Sequence, residues 1–298
     1  MKKRILLVDT SCVLHSVKYS LAKHKLSHEE KPTFVIYGFL LKMQFLMRKM
    51  GADITAFATD SKTSKRSDIY PEYKVKRKKD KSPEDIALDA ISYPQFGEVV
   101  NYVLPKMGYK NIFNSEGLEG DDIIARVCRD YPECEIIVVS NDHDLYQLLS
   151  DNVCIFDPRA NNYYSIDDFR EQYGISPKMW KRVKAIGGCS SDEVKGVPIP
   201  QPDPTKKQMH VAEKGALNYI KGETNATTKA HQAIVSRAGK DVINRNKSLV
   251  VLPFRGTPKF TLQMDKMRRK GLREVCDKYN FQSILEDFED YCKILRMR

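Results

Sequence analysis

An α/β fold with a mostly parallel central sheet flanked by helices is predicted by three observations. Four short apolar runs have the length and β-branched content of buried strands, helical periodicity separates them, and carboxylates follow three of the runs directly. The runs are residues 5–8, 55–58, 110–113 and 135–139.

Each element follows in order. ILLV (5–8) precedes Asp9 and is too short for a secretory leader or a membrane span. Phe34, Tyr37, Gly38, Leu41, Phe45 and Leu46 keep a helical period. The second strand ends at Asp60, and the next 21 residues, SKTSKRSDIYPEYKVKRKKDK (61–81), set nine Lys or Arg against three acids, a net +6. Ser82-Pro83 opens a helix carrying Ile86, Ile91, Phe96 and Val99 at helical spacing. After the third strand, GLEGDDIIA (117–125) enters a helix through Glu119, Asp121 and Asp122, and EIIVV (135–139) runs out into Asp142 and Asp144. Such alternation over roughly the first 160 residues is the pattern of βαβ units, whose ligands bind beyond the strand C-termini.

The charge balance narrows the function. Fifty Lys plus Arg against 39 Asp plus Glu give a net +11 in 298 residues, which favours a polyanionic partner. Seven cysteines form no CxxC pair, which argues against a zinc ribbon and for a reducing compartment. No membrane association is expected.

Any one Asp after a strand reads as a helix N-cap. Capping does not account for the same residue type at several convergent strand ends plus a triple cluster in a basic protein. Carboxylates so crowded repel one another unless a cation lies among them. An all-carboxylate set suits a hard divalent ion, Mg²⁺ or Mn²⁺, over zinc. With positive charge adjacent, it points to phosphodiester hydrolysis at a two-metal site. Tyr70 and Tyr73 in the basic segment offer faces for base stacking.

ILLVDTS, FATDSKTSKRSDIYPEYKVKR, GLEGDDII and SNDHDLYQLL together resemble, in order and spacing, the motifs of the structure-specific 5′ nucleases. That family includes flap endonucleases, phage 5′→3′ exonucleases and the 5′ nuclease domain of bacterial DNA polymerase I. The resemblance implies a PIN-like nuclease core over residues 1–176 with a basic helical arch at about 61–108, and a helical duplex-binding region over 177–298. It implies that Asp9, Asp60, Glu119, Asp121, Asp122, Asp142, Asp144 and Asp192 surround two Mg²⁺ or Mn²⁺ ions. Lys74 and Arg77 become the catalytic cations, and Arg66, Tyr73, Lys74, Lys76, Arg77, Lys78 and Lys79 become DNA contacts. The implied activity is 5′→3′ exonuclease and flap endonuclease cleavage in replication or repair, inside a bacterial or phage-infected cell. DNA with 5′ single-stranded ends or flaps is the substrate, RNA:DNA hybrid a second one, and a single-strand-binding protein a replication partner.

The last acidic motif departs from the family. In IGGCSSDEVKGV (186–197) Asp192 is kept and Cys189, or Gly188 if one residue is inserted, stands where the family has another Asp; either way one carboxylate is missing, and a thiol is a poor Mg²⁺ ligand, which puts the second ion in doubt. This loss motivates an alternative, a branched-DNA-binding protein with little catalysis. Four prolines between Pro198 and Pro204 exclude helix there and imply a restructured hairpin, with a helix resuming from about Lys206 to Ile220. Trp180 reads as a core residue or, within the basic stretch KMWKRVK, a base platform. Stretches 242–253 and 281–295 read as packing helices.

Overall fold

The computed structural model describes residues 2–24, 26–76, 81–201, 203 and 205–297. Six strands, β1 (Arg4–Asp9), β2 (Ile54–Ala58), β3 (Asn111–Phe113), β4 (Glu135–Val139), β5 (Val153–Asp157) and β6 (Asn162–Tyr164), form one sheet in the order β3-β2-β1-β4-β5-β6. Only the β5–β6 pair is antiparallel. Ile5, Leu6, Leu7 and Val8 are wholly buried, as a parallel strand covered on both faces must be. The strand order reverses beside β1, so the crevice past the C-terminal ends of β1, β2 and β4 is where this topology places a ligand. Asp9 pairs with Ala58, and Val8 with Val139, which brings Asp9, Asp60 and Asp142 out at one edge.

Helices cover both faces. On one side lie α1 (Thr10–Leu21) and α2 (Phe34–Met50). Leu41 and Phe45, expected on the buried stripe of α2, are each 38% exposed, because the face set against the sheet is Ile36, Phe39, Leu40, Met43, Met47 and Met50. The basic segment opens with the short α3 (Lys65–Ile69) and leads to α4 (Pro83–Glu98), which Ser82 caps through Asp85 N–H. A π turn over Val99–Val103 carries α4 on to Leu104–Met107. Ile86 and Ile91 are exposed, against the expected apolar stripe. The inward face of α4 is polar instead: Asp89 ion-pairs with Lys18 of α1 and with Lys81, and Gln95 accepts the Val35 N–H at 2.9 Å.

On the opposite side α5 (Gly120–Asp130) packs against β1 and β2, and α6 (Ile166–Tyr173) leads into α7 (Pro177–Gly187). Trp180 of α7 is fully buried and donates to His143 C=O at 2.8 Å, so it is a core residue and not a base platform. The expected helix from Lys206 starts at Glu213, as α8 (Glu213–Lys221), because Met209–His210 pair with Pro198–Ile199 in a two-stranded ribbon that keeps the chain extended. Of the four prolines, Pro202 and Pro204 lie outside the described residues. α8 and the later α9 (Lys229–Val235) and α10 (Arg237–Val250) complete this face, α8 and α10 both packing on α7. The C-terminal α11 (Arg269–Tyr279) returns to the first face, where Leu272, Val275 and Tyr291 join the core under α2. Both cores therefore draw on residues from either side of position 176. All seven cysteines are free thiols, and among the described residues no helix is long and apolar enough to cross a membrane.

Candidate active site

The acids at the sheet edge are first of all backbone caps, and capping is what aims them. Asp9 caps α1, its Oδ1 accepting the Cys12 N–H at 2.9 Å while Oδ2 accepts the Ser140 hydroxyl at 2.8 Å. Asp60 accepts the Gly120 N–H at 2.8 Å and the Ser11 hydroxyl at 2.6 Å, which ties the end of β2 to the starts of α1 and α5. Asp142, not Asp144, caps the turn after β4, accepting the Asp144 N–H at 2.8 Å. His143 points outward and stacks on Tyr146 with ring centroids 4.7 Å apart.

Four carboxylates then face one another. Burial, followed by the charge of Asp60 and Asp142, pushes Asp9 up to about 7 against the hydrogen bonds that Cys12 and Ser140 donate. Asp121 is raised well above the carboxylate range by burial and by Asp142, Asp9 and Asp60. Asp142 is raised by burial and by Asp144. The mutual repulsion of these carboxyls, only partly offset by Lys74 and Lys184, fits a hard divalent ion among Asp9, Asp60, Asp121 and Asp142.

A second group lies beside it. Tyr73, 5% exposed, donates to Glu119 at 3.0 Å and Asp192 at 3.1 Å, and Lys74 places its ammonium 2.8 Å from Glu119 and 3.8 Å from Asp192. Lys74 reaches this position with a positive φ of 56°, and its N–H donates to Asp192 C=O. Ligand atoms of Asp144, Cys189 and Asp192 lie within 4.8 Å of one another. Cys189 is delivered there by Gly188, where a φ of 75° and the Val194 C=O, which an added Cβ would meet at 2.2 Å, exclude a side chain. Burial, with Asp144 and Asp192, pushes the Cys189 thiol up to about 12.

The structure gives several expected site residues other work. Asp122 is fully buried, and both its oxygens accept from Arg66, at 2.6 and 2.7 Å, and from the Phe254 and Glu119 N–H groups. Both oxygens are spent on Arg66 and these N–H groups, away from the ring of carboxylates that Asp9, Asp60, Asp121, Asp142, Asp144 and Asp192 form at the sheet edge. Arg66 in turn is 2% exposed and also donates to Leu249 C=O, so it holds the acidic loop and cannot meet DNA. Tyr73 is likewise an internal hydrogen-bond donor, not a stacking surface. Lys76 is exposed, as are Lys62 and Lys65. Arg77, Lys78 and Lys79 lie outside the described residues.

Sequence reasoning missed Lys184. On α7, with its side chain 9% exposed, it reaches Asp144 at 2.9 Å and Glu213 at 3.1 Å. The only signal was its place in the basic stretch KMWKRVK. From Asp60 an open groove of roughly 1170 Å³ runs toward α4, past Ser11, His15, Lys62, Tyr93 and Phe96.

The raised carboxyls set a pH dependence. A group whose folded pKa is raised contributes stability below its unfolded value and loses it as pH rises through the folded one, so for Asp9 the loss falls between 3.8 and about 7. An ion that binds the ionised cluster relieves that loss. The rise in Tm caused by Mg²⁺ over chelator is therefore expected to be larger at about pH 8 than at about pH 5.5. Thermal melts at the two pH values check it; equal increments would remove these carboxylates from the binding site.

Residues 4–174 match the family model of the 5′-3′ exonuclease N-terminal resolvase-like domain. A 5′-3′ exonuclease of Buchnera aphidicola (subspecies Schizaphis graminum) is 27% identical over 272 residues, covering 90% of this chain and 83% of the relative. DNA polymerase I of Chloroflexus aurantiacus is 27% identical over 229 residues, 73% of this chain but only 22% of that much longer enzyme. In fold the chain is similar to a bacteriophage T5 flap endonuclease solved as a pseudo-enzyme-product complex with DNA and metal ions, with a TM-score of 0.66 at 20% identity over 99% of this chain and 100% of that one. It is also similar to flap endonuclease-1 from Methanococcus jannaschii, with a TM-score of 0.61 at 15% identity over 99% and 93% of the two chains.

Proposed function

The chain belongs to the 5′-3′ exonuclease family, and from that premise we propose that it hydrolyses phosphodiester bonds at 5′ ends and at single-strand/duplex junctions of DNA, using Mg²⁺ or Mn²⁺. One observation carries this reading: carboxylates from separate strand ends and α5 gather near Lys74, with an open groove leading away from Asp60. RNA:DNA hybrid is a second candidate substrate, with a replication protein such as a single-strand-binding protein as partner. The alternative of a catalytically weak binding protein is not favoured, since the family's members are metal-dependent nucleases and its acids are retained here apart from the position of Cys189.

The chemistry divides between ion and protein. A bound divalent ion supplies an activated water and stabilises charge on the phosphate oxygens. Asp9, Asp60, Asp121 and Asp142 would hold it, with Asp9, Asp60 and Asp142 fixed by the backbone N–H groups they accept so that little reorganisation accompanies the reaction. Lys74, on a backbone tied to Asp192, offers a half-buried ammonium that can turn from Glu119 to an incoming phosphate. Arg77 is proposed to assist it. Residues 177–298 are proposed to grip the duplex, with Lys76, Lys78 and Lys79 along the arch contacting the strand.

A labelled 5′-flap duplex, a single strand and an RNA:DNA hybrid incubated with Mg²⁺, Mn²⁺ or chelator test the proposal. Cleavage is expected only with the ion, and Lys74→Ala is expected to slow it by about 10²-fold. Cleavage that persists in chelator, or none on any substrate, would sink the reading.

A further inference from the structure

Resting on the nuclease reading above, we propose that the half of the ring formed by Asp144, Cys189 and Asp192 is satisfied by Lys184 of the same chain, so that the resting protein holds one divalent ion instead of two.

The donor set argues for it first. The three ligand atoms converge within 4.8 Å, as at a cation site, but one of them is sulfur. A protonated thiol brings no charge, and a thiolate is a soft ligand ill matched to Mg²⁺ or Mn²⁺. The carboxylates have cations beside them as well. Asp144 Oδ1, buried and without a hydrogen bond, is ion-paired with the Lys184 ammonium at 2.9 Å, and its Oδ2 faces the Cys189 sulfur at 3.5 Å. Glu119 and Asp192 share Lys74. Asp144, Glu119 and Asp192 therefore each already have an ammonium group within 4 Å.

Lys184 is placed by the core. It sits one turn after the buried Trp180, its Nζ 5.4 Å from the indole ring, and Glu213 at the start of α8 braces it from the far side at 3.1 Å. An ammonium so fixed offsets Asp144 as an ion would, yet it offers no open coordination position for water or a phosphate oxygen. The neighbouring group of Asp9, Asp60, Asp121 and Asp142 has only oxygen ligands and, unlike Asp144, no ammonium in direct contact among the described residues, so that is where the single ion belongs.

Counting bound Mn²⁺ tests this without recourse to activity. Full-length protein stripped by chelator is titrated with Mn²⁺, and free ion is read from its paramagnetic resonance signal. The expected result is one ion per chain for the wild type and two for the double variant Cys189→Asp/Lys184→Gln, with its circular dichroism unchanged. Two ions in the wild type overturn the proposal and leave the nuclease reading standing, as does a folded double variant that still binds one. No ion in either protein overturns both. Should the variant fail to fold, the wild-type count alone decides.

Discussion

Arg66→Ala will lower Tm steeply, and Arg66→Lys will recover only part of the loss. Arg66 and Asp122 form a two-pronged ion pair at 2.6 and 2.7 Å with side chains 2% and 0% exposed, so truncating the arginine strands a carboxylate in the core. Breaking such a pair from one side costs about 3–5 kcal/mol, because the remaining charge has neither water nor partner. In a chain of this size that corresponds to a fall of roughly 6–12 °C. Lysine supplies the charge but not the fork that meets both oxygens. Activity will fall too, since Asp122 also accepts the Glu119 N–H and so fixes the turn that presents Glu119 and Asp121. Melting the two variants in chelator checks the stability effect; a loss in Tm no larger than that of an exposed-lysine variant such as Lys65→Ala would refute the buried pair.

Asp121→Asn will act with the opposite sign on stability. Asp121 is held well above the ordinary carboxylate range by burial and by Asp142, Asp9 and Asp60, so in the metal-free protein its charge opposes folding near neutral pH. Removing that charge should raise the metal-free Tm while cleavage drops by at least about 10²-fold, as expected when one preorganised electrostatic group is taken from an active site. The Tm gained on adding Mg²⁺ should shrink in step. The two halves are measured separately, by melts in chelator and by single-turnover cleavage of the flap duplex. A variant that cuts at the wild-type rate would take Asp121 out of the ion site.

Set side by side, the two variants divide the cluster 119–122 into a scaffold and a site. Asp121 and Asp122 are adjacent in sequence and identical in type, yet one is turned to the sheet edge and the other into the core. Nothing in GLEGDDIIA distinguishes them. The distinction comes from Arg66, which is 56 residues away along the chain, and from the Phe254 N–H, 132 residues away.

The same limit explains which elements were legible. The four strands β1 to β4 could be read because each is a short apolar run ended by a polar residue, and burial on both faces demands that pattern. The carboxylates after β1, β2 and β4 were legible for the same reason: a parallel sheet delivers every strand end to one edge. β5 and β6 were not read. The exposed Ile86 and Ile91 were misread because the inward face of α4 is set by Asp89 between Lys18 and Lys81, a long-range ion cluster that apolar periodicity cannot reveal.

By itself, then, the sequence determined the α/β class, the edge at which the acids gather and the basic arm beside them, since these follow from local pattern and chain order, while the loss of one acid at Cys189 follows from the family resemblance. Only the tertiary structure decided how each charge is used. Arg66 and Lys81 of the basic arm were drawn inward to pair with Asp122 and Asp89, and Lys184 came in from α7 against Asp144. Whether a charge serves a ligand or the core depends on which opposite charge lies within about 4 Å of it in a low-dielectric setting, and that distance exists only once remote segments have packed.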